Sequence, residues 1–71
     1  MNTKLDAAIK EQETIALDTG SLALEYEADA PLFDGETRER LEAMAQALRQ
    51  DEAIALAEAE RLRELRAKTA A

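Results

Sequence analysis

Two apolar patterns of helical period divide the chain. From Leu5 the apolar positions run Leu5, Ala8, Ile9, Ile15, Ala16, Leu22, Ala23 and Tyr26, spaced alternately by three and four, with Gln12 and Thr19 as the polar members of the same line. That spacing predicts an amphipathic helix over residues 3–28, with Asn2 or Thr3 as its cap and Asp6 near its positive end. Leu17, Gly20 and Leu24 make a second, narrower line on the same helix, and a glycine there lets another backbone come close. The second pattern runs from Gly35 to Lys68. It holds no proline, its only glycine is its first residue, and Ala, Leu, Glu, Arg and Gln fill most of it. These residues lose little conformational freedom in a helix. At 1.5 Å per residue such a helix is about 50 Å long. Its stripe is Leu41, Met44, Ala45, Leu48, Ala55, Ala59, Leu62 and Leu65, interrupted where Asp51 and Glu52 fall on it and Ile54 and Leu56 fall off it. Either the helix bends near Gln50–Asp51 or its halves meet different neighbours. A second apolar face with Ile54, Ala57 and Leu65 serves the latter.

The stretch Asp18-Thr19-Gly20-Ser21 is turn chemistry inside the first pattern. It offers two competitors to a continuous helix: a break with Ser21 capping a new helix, or a small β-hairpin at residues 14–26. In the β-hairpin Ile15, Leu17, Leu22, Leu24 and Tyr26 would share a face. Leu, Ala and Glu are indifferent strand formers, and a lone two-stranded hairpin is weak. Residues 29–34 read as the loop, with Pro31 pushing Ala30 out of helical angles and Asp34 capping helix 2. Residues 69–71 are expected to fray.

The fold class expected is therefore all-α, a hairpin of two long helices. A turn over 29–34 pairs positions whose numbers sum to about 64. Leu22 then lies by Leu41 or Met44, Ile15 by Leu48, Ile9 by Ala55 and Leu5 by Ala59. Residues beyond 62 are left without a partner in their own chain, so Leu62 and Leu65 project and call for another chain. The expectation is a homodimer, a four-helix bundle from two hairpins, held by Leu41, Met44, Leu48, Ala55, Leu62 and Leu65. Length agrees: 71 residues with no Cys and no His lack disulfides and nearly all zinc, haem or iron–sulfur sites, leaving self-association to complete a marginal core.

Charge adds a partner class. The net charge is −7, and no Lys or Arg lies between Lys10 and Arg38, while Glu11, Glu13, Asp18, Glu25, Glu27, Asp29 and Asp34 do. Such a surface repels nucleic acid and anionic membranes and suits a protein with a basic patch. The loop cluster Tyr26, Leu32 and Phe33, ringed by Glu25, Glu27, Asp29 and Asp34, has the make-up of a binding hot spot; capping its own hairpin is the plainer role. The off-stripe set Ile54, Leu56 and Leu65 is a second candidate surface. Arg61, Arg63, Arg66 and Lys68 suit the carbonyl end of helix 2 and ion pairs with the acidic half of a partner chain. They are too few to carry direct nucleic-acid binding.

The usual nucleophile–base pairs, a glycine-rich phosphate loop and calcium-loop spacing are all missing from the sequence. Glu58 with Glu64, or Glu36 with Glu39, read as solvated face charges. The expectation is a non-enzymatic, cofactor-free, cytoplasmic interaction protein that regulates, sequesters or inhibits another protein. The alternatives are a DNA-mimicking acidic decoy, weakened by Arg38, Arg40 and Arg49 among the acids, and a structural subunit of a larger helical assembly.

Overall fold

The computed structural model describes residues 3–69; the expected Asn2 cap and the tail residues 70–71 lie outside them. The chain is two helices packed against each other as a hairpin. Helix α1 spans Thr3–Asp29, a 3-10 turn spans Ala30–Leu32, and helix α2 spans Gly35–Thr69. No strand occurs among the described residues, so the β-hairpin at 14–26 and the break there are both corrected: α1 runs through Asp18–Ser21 without interruption.

Two local facts explain why turn chemistry sits inside a helix. The Thr19 hydroxyl donates to the carbonyls of Ile15 (2.8 Å) and Ala16 (3.2 Å), so it is satisfied by its own helix. Gly20 is buried, and a Cβ placed on it would overlap the Glu52 carboxylate. The glycine is the space into which Glu52 of α2 packs. The same contact accounts for the interruption of the second apolar pattern: α2 is continuous, and Glu52 takes a seam position because α1 offers no side chain there.

The seam repeats every seven residues. On α1 it is Leu5, Ile9, Gln12, Ala16, Thr19, Ala23, Tyr26 and Ala30; on α2 it is Leu41, Ala45, Leu48, Glu52, Ala55, Ala59 and Leu62, all buried or half-buried. Among the described residues six of the eight buried apolar ones are alanine, the others being Ile9 and Leu62, and no large side chain is fully buried. Alanine lets two helix backbones approach closely. The body is accordingly a thin rod, 55 × 13 × 12 Å. Its radius of gyration is 16.2 Å, against about 11 Å for a compact domain of this length.

The turn differs from its expected form. The chain does not leave a helical path at Ala30; it tightens into the 3-10 turn, where the missing N–H of Pro31 is no loss. The Phe33 N–H closes the turn on the Ala30 carbonyl at 3.1 Å, and Phe33 is extended. Gly35 opens α2 at φ +62°, a region that favours glycine. Asp34 makes no capping hydrogen bond among the described residues.

Residues 31–40 are all exposed, and Leu41 is the first residue of α2 to pack. The register shifts accordingly. Arg49 pairs with Glu27, Arg63 with Glu13 and Arg66 with Asp6, so facing numbers sum to between 72 and 76, not 64. The 3-10 turn extends α1, and the first turn of α2 is spent before packing begins. With this shift the stretch of α2 from Leu41 to Leu62 packs along α1. Leu62 does not project: it is buried within its own chain, 8% exposed, while Leu65 is 41% exposed.

This register predicts that Leu62→Ala costs about 2–3 kcal/mol of stability and Leu65→Ala less than about 1 kcal/mol. Urea denaturation at fixed protein concentration reads both. Equal costs would restore the sum of 64.

Candidate interaction faces

The seam divides the hairpin into two long faces, because residues seven apart return to the same side of a helix. On one face α1 presents Asp6, Glu13, Gly20 and Glu27, and α2 presents Arg49, Leu56 and Arg63, with Arg66 at the seam edge. Arg49 binds Glu27 through two hydrogen bonds, Nε to Oε2 at 3.0 Å and Nη2 to Oε1 at 2.6 Å, and reaches Glu52 at 3.0 Å. Arg63 donates to Glu13 at 2.6 Å and Arg66 to Asp6 at 3.0 Å. The paired guanidinium holds the Glu27 carboxyl below its ordinary value, and the two glutamates in turn raise Arg49 well above an ordinary arginine. Arg61, paired with Glu58 along α2, lowers that carboxyl likewise. With Arg38–Glu42 and Arg40–Glu36, all six arginines are ion-paired inside the chain. The basic cluster at the end of α2 thus spends Arg61, Arg63 and Arg66 on the chain's own carboxylates.

On the opposite face, Ile15 and Leu22 of α1 flank the seam, and Met44 and Leu65 of α2 do so from the other side. These four are between 38% and 45% exposed. Asp29, Asp51 and Glu58 share that face by the same seven-residue spacing. Of the residues expected to hold a dimer, the structure places Leu41, Leu48, Ala55 and Leu62 between the chain's own helices and leaves Met44 and Leu65 at the surface. Ile54 and Leu56 are both exposed but lie on different sides of α2, so Ile54, Leu56 and Leu65 do not form one patch.

At the turn, Leu32 and Phe33 are exposed, Tyr26 is half-buried, Asp29 is exposed, and Glu27 is tied to Arg49. A cleft of about 400 Å³ lies beside them, lined by Glu27, Ala30, Pro31, Arg38, Ala45 and Arg49 among others. Its arginines are already paired, so it offers an apolar floor with a neutralised rim.

Sequence reasoning missed Leu17 and Leu24 as surface residues of weight. Their line with Gly20 was visible, but its meaning needed the partner of Gly20, a residue 32 positions away. Among the described residues no three metal-binding side chains gather, and no helix is long and apolar enough to cross a membrane. No family model, curated protein or solved structure matches the chain.

The ion pairs set an acid response. A carboxyl lowered by its partner contributes stability above its unfolded-state value and loses it as pH falls through the folded value. Carbon-detected NMR titration is expected to place Glu27 below the ordinary glutamate value, and Arg49→Gln to raise it back toward that value. No movement in Arg49→Gln would contradict the pairing.

Proposed function

We propose that this protein is a non-enzymatic interaction module that works as a dimer of hairpins and regulates, sequesters or inhibits another protein. The observation that carries the reading is the distribution of large apolar side chains. Among the described residues ten are exposed, while Ile9 and Leu62 are the ones buried in the core. A compact protein of 7.8 kDa exposes about 4,400 Å², and this chain exposes 5294 Å². The excess, about 900 Å², is close to the roughly 800 Å² that each partner gives to a standard interface. A second copy, completing a four-helix bundle, takes up surface of that size.

The turn supports a role beyond self-association. Leu32 and Phe33 stand at the end of the rod, 77% and 46% exposed, beside Asp29 and Asp34. Apolar anchors with an acidic rim suit a protein partner that carries a basic patch around an apolar pocket. Tyr26 and Glu27 extend that surface along α1. A second reading, the DNA-mimicking decoy, draws support from Glu11, Asp18 and Glu25, which lie seven residues apart on α1 without ion pairs.

The test uses tip variants that leave the seam untouched. Proteins retained from a cell lysate by the wild type and lost with both Phe33→Ala and Asp29→Lys are the expected partners. Asp29→Lys should slow their association and weaken its salt dependence. Retention unchanged by either variant would remove the turn from the binding surface, and displacement of the partner by duplex DNA would favour the decoy.

A further inference from the structure

The face that carries the inter-helix ion pairs has a negative side and a positive side. Asp6, Glu13 and Glu27 line it along α1, and Arg66, Arg63 and Arg49 line it along α2. Midway between the Glu13–Arg63 and Glu27–Arg49 pairs, seven residues from each, Gly20 stands in the acidic row and Leu56 in the basic row. Gly20 has no side chain and its space is filled by the Glu52 carboxylate of its own chain, while Leu56 projects, 52% exposed. Leu17 and Leu24 flank Gly20 on the outer side of α1 and are among the most exposed apolar residues, at 70% and 60%. A groove of about 310 Å³ runs there, lined by Ala16, Leu17, Glu52 and Leu56, with Glu13 and Arg63 at one end. The leucine patch has an ion pair at each end, and each carboxylate within it already has a guanidinium.

We propose that this face docks on the same face of a second copy, with both turns at the same end of the dimer. The inference rests on the dimer reading above and assigns its surface and its orientation. A two-fold axis parallel to the rod lays α1 of one copy on α2 of the other. Acid then meets base at two steps of the rows: Glu13 faces the partner's Arg63, and Glu27 faces the partner's Arg49. Each ion pair becomes half of a ring of alternating charges, which offsets the loss of solvent. Leu56 then packs against the partner's Leu17 and Leu24, above the Glu52 carboxylate that fills the space at Gly20 and is already paired with Arg49. An antiparallel dimer through the same face would set acid on acid and arginine on arginine. The opposite face fits a second copy less well, since Asp51 stands there without an ion pair among Ile15, Leu22, Met44 and Leu65 and would be buried unpaired.

The chain has no cysteine, so Leu32→Cys accepts one spin label per copy. Dipolar spectroscopy should give a distance between labels far shorter than the rod; a distance near 55 Å would make the dimer antiparallel and overturn the proposal. Sedimentation equilibrium separates the faces. Leu56→Glu should weaken dimerisation about 100-fold or more, two leucines being lost from the interface, and Leu22→Glu should leave it unchanged. A dimer that survives Leu56→Glu overturns this inference alone. A wild-type protein that is monomeric at every concentration overturns the dimer reading together with it.

Discussion

The close contact of two alanine-lined helices is the constraint on which the other features depend. Ala16, Ala23 and Ala30 on one side and Ala45, Ala55 and Ala59 on the other bring the backbones together over the part of the rod nearer the turn, with Ile9 and Leu62 buried towards the open end. Close approach lets Glu13 and Glu27 reach arginines on the facing helix. It also removes the room for a large residue at the middle of the seam, which is why Gly20 and Glu52 fit each other. The cost is apolar area. A buried alanine removes about one methyl group from water, worth about 0.8 kcal/mol, where a buried leucine removes 1.5–3 kcal/mol worth. A hairpin built in this way leaves six of its ten leucines exposed.

The charged groups follow the same geometry. Acids flank the seam on α1 and arginines flank it on α2, so the ion pairs act as a register device along one side of the rod. Each such exposed pair is worth little alone. Their effect is to make one register better than its neighbours, because a slip by one helical turn would break all three inter-helix pairs together. The alanine seam, being uniform, discriminates registers weakly. The two flanks also have opposite sign, which gives that face a polarity of its own.

Much of the architecture was legible in the sequence, and the reasons are local. Alternation by three and four marks both helices, their boundaries lie within a residue of the expected ones, and Pro31 with Gly35 locates the turn. The register was not legible. A turn's length in residues does not say how much of it lies along the rod, and here the 3-10 turn and the exposed stretch 35–40 move the pairing by about two to three helical turns. That shift turned Leu62 from a projecting residue into a core one. Gly20 was ambiguous for a related reason: its role is set by Glu52, and nothing near it in the chain reveals that contact. The apolar residues of the turn were visible as a cluster, because Tyr26, Leu32 and Phe33 are close in sequence as well as in space.

The central claim is that a hairpin with an alanine seam is completed by a second copy. The most direct measurement is the solution mass of the wild-type protein over a dilution series, with circular dichroism on the same samples. A dimer that loses helicity as it dissociates is the predicted result. A monomer that stays fully helical at low micromolar concentration would contradict it, and the seam alone would then suffice to hold the fold.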